Sequence, residues 1–310
     1  MIQRIFFSVI INCHNSEEFL SEAINSVISQ SFNDYEIIIY DNASTDRTRE
    51  IASEYSKHVK YFYSKTKLTL GAARNKAISF AAGKYLAFLD SDDVWLSNKL
   101  EVQHKVLVSN SKIALCGSDA FRVDESLRPI TKFSTGRFSK NPDSLSHLLA
   151  DCYIPMSSVV IDRDICLSLN GFNESYEIVE EWDLWIRATT GNKLFYIREC
   201  LVNIRFHGSN TSRDYHAQQV EVLRMFNQIS TDAVIERRQV KKALTIWKLR
   251  YIIVRIFNYK EERTVSLISL LLHLLVSCLV YPRTLFKILS SYASLPVLRF
   301  ATRKYITRRK

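Results

Sequence analysis

The sequence predicts an α/β fold, a mostly parallel sheet flanked by helices, followed by a basic helical appendage. Three observations carry that expectation. Apolar runs of strand length alternate with helix-period segments from Ile5 to about residue 110. Three of those runs halt at a polar residue, Asn12, Asp41 or Asp90. After Asp214 the alternation gives way to long helical patterns rich in Lys and Arg. With 310 residues there is chain enough to bury one large core and still carry an appendage. An apolar share of 47% against 24% charged residues excludes a disordered chain.

Taken in order, Ile5–Ile11 is a continuous apolar run bounded by Asn12, the pattern of a strand buried on both faces. Ser16-Glu17-Glu18 then opens a helix whose apolar positions Phe19, Ala23, Ile24, Val27 and Ile28 share one face. Tyr35–Tyr40 is the second strand, ended by Asp41-Asn42, and Ser44 or Thr45 caps a helix running to about Tyr55. A short strand follows near Tyr61–Tyr63, then Gly71 and a helix over Ala72–Ala82. Lys84–Leu89 is a further apolar strand that stops at Asp90. Such alternation makes parallel βαβ units and a doubly wound sheet. Ligands of these sheets bind beyond the carboxyl ends of the strands, where Asn12, Asp41 and Asp90 all fall.

Beyond the next helical pattern, Val94–Val108, the chain reads as mixed. Short strands are expected around Ile113–Cys116 and Ser158–Ile161, and a helix around Glu181–Thr190. The expected organisation is a body over residues 1–215, in halves 1–110 and 111–215, and a helical region over 216–310.

Charge is divided unevenly between these parts. Residues 233–310 hold 17 Lys/Arg against 3 Asp/Glu, a net of +14, which leaves residues 1–232 at −4 of the chain's +10. A basic tail on a mildly acidic body implies a polyanionic partner, nucleic acid or an anionic membrane surface. The six cysteines are scattered without a C-x-x-C pair, which excludes a zinc site or a disulfide framework and fits a reducing compartment. The opening residues lack a charged n-region and cleavage site, so no signal peptide is expected, and the sequons at Asn42, Asn173 and Asn210 read as chance.

Asp90-Ser91-Asp92-Asp93 puts three carboxylates in four positions just past an apolar strand. That much like charge is unfavourable unless a cation neutralises it, and oxygen ligands on a strand end suit Mg²⁺ or Mn²⁺ shared with phosphates. A solvated acidic loop, or an acidic helix N-terminus, fits the same four residues.

Four segments in order, S-V-I-I-N-C-H-N (Ser8–Asn15), E-I-I-I-Y-D-N-A-S-T-D (Glu36–Asp46), G-A-A-R-N-K-A (Gly71–Ala77) and F-L-D-S-D-D (Phe88–Asp93), resemble a family-2 glycosyltransferase of the GT-A fold. The similarity continues through Ile154–Ile161, Leu169–Glu174, Glu180–Arg187 and Arg205–Ser212, about two-thirds of the chain. The resemblance implies an inverting transfer of one sugar from a nucleotide-diphospho-sugar, UDP-sugar favoured, to a saccharide or lipid-linked acceptor in surface glycan (lipopolysaccharide or O-antigen) biosynthesis. It implies a donor seat of Asn12, His14, Asp41, Arg74, Asp90, Ser91 and Asp92, with Asp41 on the base, Arg74 on the diphosphate and Asp90 on the ribose. Asn12-Cys13-His14 departs from the more usual Pro-Thr-Tyr-Asn and loosens the identity of the base. Asp92 would bind Mn²⁺ or Mg²⁺, with Asp90, Asp93 and His207 as further candidates. Glu181 takes the catalytic-base position before Trp182-Asp183-Leu184-Trp185, where the family usually has Asp, so Glu180 stands as the alternative. Met156, Ser157 and Trp182 fall on the acceptor side, and Asp183 with Arg187 reads as a helix-surface pair.

In the tail, Val240, Leu244, Trp247, Tyr251 and Val254 form an apolar stripe beside Arg237, Lys241, Lys248 and Arg255. A basic amphipathic helix of this kind suits a membrane surface, and equally suits packing on the body or on a second subunit of an oligomer. Val265–Tyr281 spans about 26 Å as a helix, short of the roughly 30 Å hydrocarbon core, so it is expected to lie at the interface. The apolar runs favour lipid over nucleic acid, and the expected place is the cytoplasmic face of the cell membrane. Of the rival readings, a dehydrogenase lacks its G-x-G-x-x-G and a nucleotidyltransferase its Gly-rich loop, since Asn12–Ser16 holds no glycine. A non-catalytic membrane-associated binding module is the remaining alternative.

Overall fold

The computed structural model describes residues 5–110, 112–134, 145–207 and 215–231, and a few positions between 240 and 248. The chain divides into two compact units, Met1–Arg213 and Asp214–Lys310.

The first unit is built on a nine-stranded sheet. Its N-terminal part alternates strand and helix: β1 (Phe7–Cys13), α1 (Leu20–Ile28), β2 (Tyr35–Asp41), α2 (Thr48–Glu54), β3 (Val59–Tyr63), α3 (Leu70–Ser79) and β4 (Tyr85–Asp90). β1 pairs in parallel with β2 on one side and β4 on the other, and β3 extends the sheet beyond β2. The expected continuous apolar runs follow from this placement, because a central parallel strand covered on both faces has no polar side. On α1, Leu20, Ala23, Ile24 and Val27 are buried at helical spacing and close one face of the sheet.

After the acidic turn come β5 (Val94–Trp95), α4 (Lys99–Ser109), β6 (Ile113–Val123), β7 (Pro129–Lys132), α5 (Leu145–Ala150), a 3-10 turn at Met156–Ser158, β8 (Val160–Asp162), α6 (Arg163–Ser168), α7 (Glu180–Thr189) and β9 (Lys193–Arg205). The strand order is β3-β2-β1-β4-β8-β6-β9-β5, with β7 hydrogen-bonded to β6. β8 runs antiparallel to both β4 and β6, whereas β6 and β9 are parallel. A mixed, mostly parallel sheet flanked by helices is therefore the fold, as the sequence leads one to expect.

Several boundaries differ from the sequence reading, each for a local reason. Ser16 does not open a helix. Its carbonyl accepts from the Phe19 and Leu20 amides in a turn, and α1 starts at Leu20. Ser44 and Thr45 do not cap α2. Their amides are used by Asp41 and Asn15, and Asp46 accepts from the Thr48 amide instead. The segment Val94–Val108 begins as a two-residue strand, not a helix, because β9 pairs with Val94 and Trp95. β9 itself is 13 residues long and was not anticipated.

In the second unit α8 (Tyr215–Thr231) is described. Most of the tail stripe at 237–255, and all of Val265–Tyr281 and the terminal basic clusters, lie outside the described residues. Among the described residues no helix is long and apolar enough to cross a membrane.

Candidate active site

The sheet register brings the polar strand ends together. Asn12 on β1 faces Tyr40 on β2 and Asp90 on β4, and Cys13 faces Asp41. The loops that follow are laced to each other. The Asn15 amide donates to Ser44 Oγ at 2.9 Å, the Thr45 amide to Asn15 Oδ1 at 2.9 Å, and the Ser16 amide to Thr48 Oγ1 at 2.8 Å. Asn15 and Ala43 take φ of 51° and 63° to make these turns. His14 is held by Asn42 O, 2.9 Å from Nδ1. The side-chain N and O of Asn12 are buried and find no hydrogen-bond partner among the described residues, which marks them for a ligand's polar edge. Asp41 is fully buried and differently placed. Its Oδ1 accepts from the Ser44 amide at 2.8 Å and its Oδ2 from the Tyr61 hydroxyl at 2.6 Å.

The acidic turn after β4 distributes its carboxylates among three tasks. Asp90, with 40% of its side chain exposed, accepts from Arg74 Nη2 at 3.1 Å. Asp92 Oδ2 lies 2.8 Å from His207 Nε2. Asp93 is buried. Its Oδ1 accepts from the Arg205 amide at 2.9 Å and its Oδ2 from the Ser157 hydroxyl. Burial, together with the charges of Asp92 and Asp90, pushes the Asp93 carboxyl well above its ordinary range. Asp93 therefore anchors the turn, each of its carboxylate oxygens already accepting one hydrogen bond from the protein. Ser91 Oγ sits 2.8 Å from Ser16 Oγ and ties the turn to the loop after β1.

Across from this turn stands the N-terminus of α7, whose first turn carries Glu180, Glu181 and Asp183. Acidic residues are favoured there by the exposed amides and dipole of the helix. Arg74, on the buried face of α3, reaches both sides. Its Nη1 lies 2.6 Å from Glu180 Oε1 while its Nη2 holds Asp90. Arg74 is only 4% exposed. Glu181 forms no ion pair among the described residues, and the Cys152 thiol donates to its Oε1 at 3.8 Å. Burial, then the neighbouring Glu180 charge, raises the Glu181 carboxyl to about 8, against the lowering pull of Arg74. Asp183 and Arg187 do pair at i, i+4, but not on the surface. Asp183 is 4% exposed, and Arg187 also donates to Leu169 O and Gly171 O, fastening α7 to the turn after α6.

The residues expected on the acceptor side are supports rather than lining. Met156, Ser157 and Trp182 are all buried. Ser157 Oγ accepts from the Asp90 amide while its hydroxyl donates to Asp93, and Trp182 Nε1 donates to Leu148 O at 2.7 Å. The sequence reading missed Arg205 and Cys152. Arg205 is fully buried, donates to Asp92 O, Glu125 O and Glu22 Oε2, and lies 4.2 Å over the Phe19 ring. The segment Arg205–Ser212 held the signal, but a lone arginine at a strand end gives no hint of burial.

No cluster of three or more His, Cys, Asp or Glu side chains around one point occurs among the described residues. The donor set nonetheless fits a divalent ion shared with a diphosphate. Asp92 and His207 are adjacent and partly exposed, and Asp90 is on the same turn.

A mostly parallel sheet with an acidic turn at one strand end and an acidic helix N-terminus facing it defines a GT-A-type nucleotide-sugar transferase fold. The family model for glycosyl transferase family 2 matches residues 8–161. The chain is 29% identical over 208 residues to an Escherichia coli protein, the UDP-Glc:alpha-D-GlcNAc-diphosphoundecaprenol beta-1,3-glucosyltransferase WfgD, covering 66% of this chain and 78% of that one. Among solved structures it resembles Staphylococcus aureus TarS 1–349 in complex with UDP-GlcNAc (TM-score 0.68, 18% identity, 84% of this chain and 76% of that one). It also resembles the Pyrobaculum calidifontis mannosyltransferase PcManGT in complex with GDP-Man and Mn²⁺ (TM-score 0.60, 14% identity, 94% and 88%). The chain belongs to glycosyl transferase family 2. It spans 38% of the length of two curated Rickettsia relatives that it matches at 32% and 31% identity.

Proposed function

We propose that the chain is an inverting, non-processive glycosyltransferase of surface glycan biosynthesis, using a UDP-sugar and a saccharide or lipid-linked acceptor. One observation carries the reading: Arg74 spans Asp90 and Glu180, so the acidic turn and the acidic helix end belong to one site. The donor seat comprises Asn12, His14, Asp41, Asp90, Ser91 and Asp92, with the unsatisfied amide of Asn12 directed to the nucleoside. Asp92 and His207, with Asp90, would hold Mn²⁺ or Mg²⁺, which supplies positive charge to the departing diphosphate when bound. PcManGT, described with Mn²⁺, favours that choice.

Glu181 is the better base of the acidic pair because Glu180 is already committed to Arg74. In the transfer the acceptor hydroxyl oxygen bonds to the anomeric carbon as its proton passes to Glu181. The bond from that carbon to the diphosphate breaks on the opposite face, and the diphosphate leaves with the electron pair. The UDP-glucose and lipid-diphosphate of the WfgD name, and the UDP-GlcNAc bound to TarS, favour a UDP donor and a lipid-linked acceptor. Such an acceptor sits at the inner face of the cell membrane, where the basic residues of 233–310 would be drawn to anionic lipid.

The test is donor hydrolysis and transfer across a nucleotide-sugar panel with Mn²⁺ or Mg²⁺. Asp92→Ala should lose metal-dependent donor binding. Glu181→Gln should keep donor binding and lose transfer by about 100-fold or more, the usual scale for a general base. Normal transfer by Glu181→Gln, with loss in Glu180→Gln, would reverse the base assignment.

A further inference from the structure

Four groups act on Glu181: Glu180 from its own helix, Arg74 from α3, Asp90 from β4, and Cys152 from the loop after α5. Arg74 is the cation of this set, and at 4% exposure it acts through protein rather than water. Its place is fixed from below. Asn75, the next residue, donates to Phe172 O at 2.9 Å and accepts from the Phe172 amide at 2.8 Å. The Phe172 ring lies 5.5 Å from the Arg74 guanidinium carbon. Glu180 is equally constrained, 3% exposed with Arg74 Nη1 at 2.6 Å. A like charge on the adjoining residue of Glu181 and an opposite charge paired with it are thus set in place before any acceptor arrives.

We propose that Arg74 and Glu180 form a positioning pair, which links the donor-side Asp90 to the base Glu181 and sets how readily that base accepts the acceptor's proton. The inference rests on the reading of Glu181 as base and deepens it. Glu180 is not a spare base but a fixed anion, and Arg74 is a strut between the two carboxylate groups rather than a free diphosphate clamp. A merely structural pair would lower activity on disruption without altering its pH dependence. A positioning pair must move that dependence in opposite directions when its two members are neutralised.

The experiment measures kcat/KM against pH for hydrolysis of UDP-glucose, UDP-N-acetylglucosamine or UDP-galactose by the full chain with Mn²⁺, using whichever donor is turned over. Glu180→Gln retains an acceptor for Arg74 Nη1 but removes the like charge, so the acid limb should fall by about one pH unit. Arg74→Gln removes the cation, and the limb should rise by about the same amount. Arg74→Lys keeps the charge without the fork, leaving the limb near its original place while kcat falls about tenfold. If Arg74→Gln does not fold, the other two variants decide. An unmoved or raised limb in Glu180→Gln overturns the pair. Wild-type turnover with an unmoved limb overturns this inference alone. Full activity of Glu181→Gln overturns the base assignment, and no turnover of any donor by the wild-type chain overturns the function with it.

Discussion

Glu180 and Glu181 are neighbours with the same side chain, and their surroundings separate them. Glu180 is held through Oε1 by Arg74, whereas Glu181 is raised to about 8 by burial and by Glu180. The sign is direct for activity: the base must be a carboxylate, so the acid limb of kcat/KM should lie near pH 8, and turnover should fall as pH drops below it. For stability the same shift runs the other way. A carboxyl raised on folding favours the folded chain when protonated, and that contribution is lost as pH rises through about 8. Glu181→Gln should therefore melt above the wild type in buffers beyond pH 8 and close to it at pH 5. Arg187 gives a second test. Arg187→Ala strands a buried Asp183 and should cost about 3 kcal/mol in urea unfolding. Asp90, Asp92 and Glu181 stood out in the sequence because their segments resemble the motifs of a known family, and in the structure Asp90 and the residue before Glu181 both meet Arg74. The anchoring of Asp93 was not legible, since nothing local foretells that Ser157 and the Arg205 amide will donate to it.

At the scale of elements, α3 is fastened to the turn at 169–174 through Asn75, which donates to Phe172 O and accepts from the Phe172 amide. A side-chain carbon added at Gly71 would stand 3.3 Å from Asn173 O. Gly171 takes φ +64°, and a side chain there would run into Asn75 Oδ1. Gly171→Val combines left-handed strain with that collision and should destabilise by about 1–3 kcal/mol. It should also weaken transfer more than donor binding, because Asn75 and Arg74 are consecutive on α3; donor titration beside a transfer assay checks this. β1, β2 and β4 were readable because they are buried on both faces, and α1 because its buried residues recur at helical spacing. β9 was not. Its burial alternates irregularly, and its register against β6 shifts at three places, so neither a period of two nor an unbroken apolar run survives.

Across the whole molecule, charge is partitioned unevenly. Residues 233–310 carry +14 and the remainder −4. The proposed attraction to a membrane predicts that the full chain cosediments with vesicles containing anionic phospholipid at low salt. It should be released at ~1 M salt, where screening acts within about 3 Å. A chain lacking 233–310 should stay in the supernatant and lose activity on a lipid-linked acceptor; undiminished activity on that acceptor, or cosedimentation of the shortened chain, would contradict the proposal. The tail's composition was plain from the sequence, but composition names a class of surface and not the geometry of contact. One more consequence follows from Arg205, whose backbone amide closes the turn at Asp93 across 112 residues and whose guanidinium reaches Glu22 across 183. A ribosome delivers β1 through β4 long before it delivers that arginine. The first half of the sheet is therefore free to assemble early, while the acidic turn stays open until the last strand arrives. Synthesis that stops short of residue 205 leaves the acids without their lock, so the site matures only when the body of the chain has been made.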